Sequence, residues 1–415
     1  MTHRKSLSRL GKWLPEDEDA LKGWLKGFAS KAAARPGKRH PVIDEFAELI
    51  ADDPIVRMYL TRMIDEAPRT GGYRVHHLET VEQMLFLLNA VMTYAPEFDT
   101  TAFVGCPIDA ILDWSMGTPA GFAAFRHPPI NDMLRKVLTA WCEFLSSEAS
   151  MQVINDPPSG WKCAAARGLT RIDDFEHDPD HPTWGFASWN AYFTREVRAE
   201  RRPVAAPDDD SVIVSPCEST PYRIARNVRA EDRFWVKGQP YSIRDMLAGD
   251  PSADEFVGGT VHQAYLSAYN YHRGRSPVSG VVRRAFNVAG TYFSEADPEG
   301  EDPAGPNNSQ AYIAHVAARA VILIEADDPT IGLLAVVPVG MGEISSCRIA
   351  PTIKPKARLR KGDELGFFQY GGSTCCLVFR PGAVAAFALG AVPEPETPEP
   401  PLVLVNSFLA SSKPA

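Results

Sequence analysis

The sequence has neither a long hydrophobic run nor an excess of basic residues. No stretch approaches the roughly 18 consecutive apolar residues that would cross a bilayer, so no integral membrane segment is predicted. The 52 acidic residues outnumber the 43 basic ones, which gives the 415-residue chain a net charge of −9. Such a chain offers no basic surface for the phosphates of nucleic acid, so nucleic acid is excluded from the predicted partners.

Paired cysteines are missing as well. The seven cysteines form no Cys-x-x-Cys motif, and their odd number does not make a disulfide framework. Cys375 and Cys376 are adjacent, but no ligand at metal-site spacing surrounds them, so no metal site is predicted. No apolar signal core precedes the acidic run Glu16–Asp19. These features predict a cytoplasmic protein with reduced thiols.

The periodicity of apolar residues divides the chain into four regions. Residues 1–40 predict a leader around one short helix, Glu18–Ala34. Apolar residues at helical spacing predict an all-helical N-terminal domain over residues 41–150. Residues 151–184, rich in Asp, Pro, His and Gly, predict a linker, and residues 185–415 predict a β-rich domain.

One helix of the N-terminal domain is predicted in detail, over Asn131–Ser147. Asn131 or Asp132 is its predicted N-cap, because a side-chain oxygen there can accept from the first free N–H groups. Its predicted apolar face carries Met133, Val137, Leu138, Trp141 and Leu145.

Short β-type runs bounded by Gly, Pro or Asp predict a mostly antiparallel sheet structure in the second domain. The predicted strands are Val212–Ser215, Tyr222–Ala225, Phe234–Val236, Gly259–Tyr269, Gly280–Phe286, Ala320–Ile324, Leu333–Val339 and a last strand Leu402–Val405. The turn-rich stretch Pro355–Phe368 suggests a barrel-like core. The predicted fold class is therefore α+β, an all-helical domain followed by a mostly antiparallel β-rich domain with a barrel-like core.

The segment Gly371–Cys376 (GGSTCC) carries the first chemical signal. Gly-Gly alone predicts a hairpin turn. A second interpretation is that the hydroxyl of Ser373 attacks the carbonyl of Gly372, because glycine can adopt the unusual backbone angles that this attack requires. The resulting ester can eliminate to leave a pyruvoyl group, whose carbonyl accepts electrons from amine substrates.

Two other polar residues are weak signals when each is taken alone. His272, beside Tyr271 and Arg273, is either structural or a general acid and base, because its unperturbed pKa lies near neutrality. Glu218, in Pro-Cys-Glu-Ser after a predicted strand, is either a solvated loop acid or the residue that orients a histidine.

Taken together and in this order, PCES (216–219), YHRGRSP (271–277) and GGST (371–374) resemble the phosphatidylserine decarboxylase family. The similarity covers about residues 185–410, and YFTRE (192–196) and KGDELGFF (361–368) support it. GTPAGFAAF (117–125) and VGMGEISSC (339–347) are similar to a soluble branch that includes fungal L-tryptophan decarboxylases.

The resemblance implies a role for each matching residue. Ser373 would be converted to a covalent pyruvoyl cofactor by self-cleavage between Gly372 and Ser373, giving chains 1–372 and 373–415. Glu218 matches the catalytic acid of the family. His272 matches its first histidine, which donates and accepts protons during decarboxylation. The resemblance also implies a homodimer of two-chain protomers.

One position departs from the family pattern, because the second histidine of the family is Arg275 here. An arginine is not deprotonated in a protein and so is no general base. Three outcomes stay open: His272 covers both tasks, Arg275 pairs with Glu218 and binds the substrate carboxylate, or self-cleavage is slow or lost and the protein is an inactive relative. Thr374, next to the cleavage site, is a further candidate for a substrate contact or a proton relay.

The substrate implied by the resemblance is an amino acid, with an aromatic one such as tryptophan favoured, which would form a Schiff base with the pyruvoyl group. The first alternative is phosphatidylserine, with phosphatidylethanolamine as product. The absence of a membrane segment and the acidic charge weigh against the lipid. The second alternative is an unprocessed, non-catalytic relative.

Overall fold

The N-terminal part of the chain is helical and the rest consists mainly of antiparallel strands, which confirms the α+β class. The structure is a computed structural model that describes residues 10–34, 37–67, 78–232, 240–296, 309–343, 346–393 and 401–413. The predicted strand Phe234–Val236 lies outside the described residues.

Many helices of the chain begin at a proline. The first turn of a helix has N–H groups without an intrahelical partner, so a proline there loses no hydrogen bond, and its fixed φ suits a helix. Proline is the first residue of α2, α3, α5, α6 and α7. Among the described helices, none is both long and apolar enough to span a bilayer. The helices are α1 (Glu18–Ala34), α2 (Pro41–Asp52), α3 (Pro54–Glu66), α4 (Val81–Val91), α5 (Pro107–Met116), α6 (Pro119–Ala124), α7 (Pro128–Leu145), α8 (Ala164–Thr170), α9 (Trp189–Phe193), α10 (Ile243–Met246) and α11 (Gln310–Val316).

Helix α7 shows what periodicity predicts well and what it misses. All five residues of its predicted apolar face are buried, and Trp141 donates a hydrogen bond from Nε1 to the carbonyl of Tyr94 at 2.9 Å. The predicted N-cap is wrong, because the helix begins three residues earlier, at Pro128, and its N-cap is His127. Two consecutive prolines fix helical φ angles there, so the helix starts before the first asparagine.

The chain forms two compact units. One comprises Met1–Ile172, His177–Tyr192 and Thr291–Ser309. The other comprises residues 173–176, 193–290 and 310–415. The second unit contains the residues of all three motifs described above. Its strands are β1 (Val212–Val214), β2 (Thr220–Arg226), β3 (Thr260–Leu266), β4 (Arg273–Arg275), β5 (Gly280–Val288), β6 (Arg319–Ala326), β7 (Leu333–Gly340), β8 (Ser346–Ile349), β9 (Arg358–Leu359), β10 (Glu364–Gln369), β11 (Ser373–Phe379), β12 (Ala386–Phe387) and β13 (Phe408–Ser411).

The largest sheet has seven strands in the order β2-β3-β11-β7-β6-β5-β9, with every pair antiparallel. Strand β11 lies in the interior of this sheet and pairs along its whole length with β3 and β7. Its first residue, Ser373, faces Leu266 on one side and Gly340 on the other. The sheet therefore places Ser373 at a fixed position in the protein interior.

Two sequence predictions about the β region are wrong. The expected barrel-like core is absent from the described residues, because the end strands β2 and β9 do not pair and the three sheets are open. The predicted last strand Leu402–Val405 contributes only a single bridge, between Val403 and Ser219, and the strand itself is β13. Local β-propensity does not specify which strands pair, since pairing depends on residues far apart in the sequence.

Candidate active site

The segment Tyr370–Gly372 leads directly into the interior strand β11. Gly-Gly on its own predicts a hairpin turn, but β10 and β11 lie in different sheets, so the hairpin is wrong. Gly371 has a φ of +133°, in a region that residues with a Cβ rarely adopt. The two glycines let the chain leave one sheet and enter the other at an unusual angle.

The peptide group of Gly372 is fixed by the segment that follows β7. The amide of Gly372 donates to the carbonyl of Gly342 at 2.9 Å, and the carbonyl of Gly372 accepts from the amide of Met341 at 2.8 Å. A Cβ on residue 372 would lie 2.1 Å from the carbonyl oxygen of Met341. Only glycine allows this close approach of two backbones.

The hydroxyl of Ser373 is fully buried and has no hydrogen-bond partner among the described residues. A buried hydroxyl without a partner is destabilising by about 1–3 kcal/mol, so such groups are rare in native proteins unless they have a function. This hydroxyl follows directly after the carbonyl carbon of Gly372. The position therefore fits a serine that is converted to a pyruvoyl group.

Glu218 lies in the loop between β1 and β2, and its carboxylate is buried in an ion pair. Arg202 donates from Nε to Oε1 of Glu218 at 2.8 Å, and its Nη2 lies 2.6 Å from the same oxygen. Arg202 also donates from Nη1 to Asp174 at 3.0 Å. The side chains of both Arg202 and Glu218 are only 4% exposed, so each charge compensates the burial of the other.

His272 is fully buried, just before β4. Its Nδ1 lies 3.0 Å from the carbonyl oxygen of Asn270, and because a carbonyl only accepts, Nδ1 carries the proton and Nε2 is the basic nitrogen. Its ring stacks on Phe193, with the ring centroids 4.0 Å apart. Burial, helped by the nearby charge of Arg195, holds the pKa of His272 well below its usual range. The imidazole is therefore neutral near pH 7.

Arg275, at the end of β4, forms its ion pair with Glu196 and not with Glu218. Its Nη2 donates to Glu196 Oε2 at 3.1 Å and to the hydroxyl of Tyr271 at 2.8 Å. Glu196 also binds Arg273, with Oε1 2.7 Å from Nη1. Arg275 thus belongs to a partly buried charge network separate from the Arg202–Glu218 pair.

Three sequence-distant segments converge around the start of β11. Asn270 links the two catalytic candidates, since its side-chain Nδ2 donates to the backbone carbonyl of Glu218 at 3.4 Å while its own backbone carbonyl accepts from His272. The edge-on contact between Phe193 and Tyr370, with centroids 4.7 Å apart, joins the ring that stacks on His272 to the segment leading into Ser373.

A pair of thiols makes a further contact between these segments. The buried Cys375 thiol donates a hydrogen bond to Cys217, and this bond and burial raise the pKa of Cys375 well above its usual value. Cys217 precedes Glu218, and Cys375 is two residues after Ser373. The PCES and GGST motifs are therefore neighbours in the folded protein.

Thr374 points to the opposite face of β11 and is saturated with hydrogen bonds. Its hydroxyl donates to the carbonyl of Ala264 at 3.0 Å, accepts from Gln263 Nε2 at 3.2 Å and lies 3.3 Å from Gln310 Oε1. Tyr241 in turn donates to Gln263 at 2.5 Å. These contacts indicate a scaffold role for Thr374.

Comparison with known proteins identifies the family. Two family models, both described as phosphatidylserine decarboxylase, match residues 40–169 and 189–391. The decarboxylase iboD of Amanita muscaria is 42% identical over 304 residues, which cover 68% of this chain and 86% of iboD. The chain belongs to the phosphatidylserine decarboxylase family. The protein is therefore a decarboxylase, that is, a carboxy-lyase.

Other members of the phosphatidylserine decarboxylase family match to different extents. The L-tryptophan decarboxylase of Psilocybe cubensis is 30% identical over 400 residues, covering 89% of this chain and 88% of that protein. The phosphatidylserine decarboxylase proenzyme 3 of Schizosaccharomyces pombe is 28% identical over 211 residues, covering 50% of this chain and 20% of that protein. The similarity to the first extends over the helical region, and the second match spans half of the chain.

Sequence inspection missed three groups that surround the candidate site. Arg202 lies outside all the motifs, and nothing in its local sequence signals a buried partner 16 residues away. Phe193 lies in YFTRE, which supports the family resemblance but does not predict ring stacking. The amide of Met341 is a backbone group, and the only available signal was its place in VGMGEISSC.

Proposed function

We propose that this decarboxylase is pyruvoyl-dependent, that Ser373 is the source of its pyruvoyl group, and that it acts on an amino acid. The observation that carries the proposal is the buried, unpartnered hydroxyl of Ser373 directly after the fixed peptide group of Gly372. When formed, a pyruvoyl group supplies a carbonyl that accepts electrons as carbon dioxide leaves an amine substrate.

Maturation begins at the bond between Gly372 and Ser373. Oγ of Ser373 attacks the carbonyl carbon of Gly372, the C–N bond breaks, and the proton from Oγ ends on the new amine, so that an ester replaces the amide. A base then removes the Cα proton of residue 373 while the Cβ–O bond breaks, and Gly372 leaves as a carboxylate. One water hydrolyses the remaining enamine, through its imine tautomer, to the ketone and ammonia.

His272 is assigned both proton-transfer tasks. Its neutral imidazole offers Nε2 as a base for the Ser373 hydroxyl, and its stack on Phe193 and bond to Asn270 fix the ring. This is the alternative in which His272 also takes over the task of the second family histidine, whose position is occupied by Arg275. The engagement of Arg275 with Glu196 and Tyr271 supports leaving it out of the proton transfers.

Glu218 is assigned the role of the family's catalytic acid beside His272. The Arg202 guanidinium holds its carboxylate in one position, and Asn270 connects the Glu218 backbone to the imidazole. Gly372 serves by allowing the backbone approach at the cleavage site. Thr374 is assigned to the scaffold and not to substrate contact.

An aromatic amino acid such as tryptophan is the first candidate substrate. Support comes from the match to L-tryptophan decarboxylase over 89% of this chain, against 50% for the match to the Schizosaccharomyces phosphatidylserine decarboxylase. Phosphatidylserine is the second candidate, supported by the family itself. A cytoplasmic location and a homodimer of two-chain protomers stay predictions, to be checked by cell fractionation and light scattering.

The test starts with the intact mass of the purified full-length protein. We expect two chains, 1–372 and 373–415, with a blocked N-terminus on the smaller one, and a single 45.5 kDa species with an unmodified serine would contradict the proposal. The cut protein is then incubated separately with L-tryptophan and with phosphatidylserine vesicles. Tryptamine as product supports the first substrate, and phosphatidylethanolamine supports the second. Ser373→Ala protein is the control for both reactions.

A further inference from the structure

The geometry points to the backbone amide of Met341 as the oxyanion donor for self-cleavage, held in place by a bulge at Met341–Glu343. This inference rests on the proposed self-cleavage at Ser373 and deepens it. The amide of Met341 donates to the carbonyl oxygen of Gly372 at 2.8 Å. That oxygen is the atom on which negative charge develops when Ser373 attacks.

The contact is not part of a regular ladder. Strands β7 and β11 pair regularly from Leu334 to Gly340. Beyond Gly340, the carbonyl of Gly372 accepts from Met341, while its amide donates to the next residue, Gly342. Gly372, just before β11, is thus opposite two residues of the other strand, Met341 and Gly342, which is the arrangement of a β-bulge. Bulges of this kind bend the strand locally and are over-represented next to active sites.

The backbone of the bulge is held in an unusual conformation. Gly342 has a φ of +76°, and Glu343 has a φ of +59°, in the left-handed region that residues other than glycine seldom occupy. Glu343 is also buried, at 1% exposed. Such conformations persist only where the surrounding structure enforces them, and they concentrate at functional sites. The bulge therefore presents the Met341 amide rigidly.

A fixed donor at this position lowers the barrier of the first step of maturation. As the bond from Ser373 Oγ to the carbonyl carbon forms, the C=O double bond becomes a single bond and its oxygen becomes negative. A donor already 2.8 Å away needs no reorganisation to stabilise that charge, and burial strengthens the interaction. After cleavage the Gly372 carbonyl has become the carboxylate at the end of chain 1–372, so this particular contact stabilises charge only during maturation.

The test removes this single N–H while keeping the methionine side chain. The full chain is made by cell-free translation with the α-hydroxy acid of methionine at position 341, which replaces the amide by an ester. Removing one oxyanion donor slows comparable reactions by about 100- to 1,000-fold. We expect self-cleavage, followed on denaturing gels, to slow by a similar factor.

The matched control is an ester at Gly340, introduced as glycolic acid. The amide of Gly340 donates to Ala318 at 2.9 Å, so this variant also loses one buried backbone hydrogen bond in the same segment but none to the scissile peptide. We expect it to cleave within a few fold of the all-amide chain. Equal slowing of both esters, or no slowing of the Met341 ester, overturns the inference.

Folding and the underlying proposal are read out separately. Each uncut chain is exposed briefly to a protease to test whether it is folded. If the Met341 ester alone both self-cleaves slowly and loses its resistance to the protease, the hydrogen bond from Met341 to Gly372 is structural, and the inference is overturned. If the all-amide chain itself stays uncut, the proposed function fails before the two esters are compared. If the all-amide chain is cut and the Met341 ester is cut at the same rate, only the assignment of the Met341 amide as oxyanion donor fails, and the proposed self-cleavage stands.

Discussion

Two neighbouring hydroxyls on strand β11 have opposite surroundings. Ser373 points to the face that carries Cys375 and the main hydrophobic core, and its hydroxyl has no partner among the described residues. Thr374 points to the face covered by α11, and its hydroxyl is in contact with Ala264, Gln263 and Gln310. Both residues are fully buried.

Under the proposed function, this difference separates a reactive hydroxyl from a supporting one on the same strand. A hydroxyl that is hydrogen-bonded on all sides would lose those bonds on attacking a carbonyl, whereas an unpartnered one loses nothing. The hydrogen bonds of Thr374 on the α11 face fix the strand, so that Ser373 needs no side-chain hydrogen bond of its own for its placement. The following experiments test that division of roles.

The largest effect is expected at Ser373 itself. Ser373→Ala removes the nucleophile, so we expect no cleavage and a single chain of 45.5 kDa by intact mass, with decarboxylation lost entirely. Ser373→Thr keeps a hydroxyl at the same place and serves as the control, with slow but measurable cleavage. Cleavage of the alanine variant at residue 372 would break the comparison, because another group would then be the nucleophile.

Removing the positive charge beside Glu218 is expected to have the next largest effect. Arg202→Met leaves a carboxylate buried without its partner, which should lower the free energy of unfolding by about 3–5 kcal/mol in urea titrations. Arg283→Met breaks the exposed pair with Glu325, 2.8 Å apart, and should cost under about 1 kcal/mol. A similar small loss in both variants would show that Glu218 is solvated and not held for catalysis.

The hydrogen bonds of Thr374 predict a smaller loss of stability. In Thr374→Val, Gln263 and Gln310 lose a buried partner, so the free energy of unfolding should fall by about 1–3 kcal/mol in the Ser373→Ala background, which keeps the chain whole. Thr374→Ser keeps the hydroxyl and serves as the control, with a loss of only about 1 kcal/mol for the deleted methyl group. If Thr374→Val blocks cleavage in the wild-type background while leaving stability unchanged, Thr374 belongs to the reaction and not to the scaffold.

The smallest expected effect is on the pH dependence of stability, through His315 in helix α11. Burial lowers the pKa of His315 to about 4, and its Nε2 accepts from the amide of Ser242 at 2.9 Å. Because its folded pKa is below the unfolded value of about 6.5, its stabilisation is complete above pH 6.5 and declines as the pH falls toward 4. We expect about 1 kcal/mol less stability at pH 5.5 than at pH 7.5 from this residue.

His315→Gln should reduce that pH dependence without abolishing it. Burial also lowers the pKa of His262 to about 4 and that of His272 well below its usual range, so both contribute in the same direction. Urea titrations at the two pH values measure the difference. An unchanged pH dependence in His315→Gln would show that His315 is already solvated.

The elements that local patterns specify were predicted closely. Helix α1 has its predicted bounds, and β7 ends one residue beyond the predicted Val339. Alternation of apolar residues and the turn formers between them depend only on neighbouring residues, so a single sequence carries that information. The short strand β4 was missed because Arg-Gly-Arg has no β-type pattern, and it exists by pairing with β10.

For the site, the sequence indicated the three motifs but not their contacts. Glu218, His272 and Ser373 were selected by residue type and order, and their segments contact one another in the second unit, while their catalytic roles stay predictions. The partner of Glu218 was not predictable, because an ion pair between Arg202 and Glu218 depends on how the chain folds between them. The stack of Phe193 on His272 and the amide of Met341 were missed for the same reason.

The interior position of β11 has a consequence for the life of the molecule. If the bond before Ser373 is cut, residues 373–415 stay attached through two complete ladders, one with β3 and one with β7. Folding must therefore precede cutting, since the short piece alone has neither neighbour. A denatured mature protein would have to reassemble from two chains with altered ends. If maturation proceeds as proposed, the cut protein is reached only through the folded, uncut chain, because the broken peptide bond is not restored on refolding.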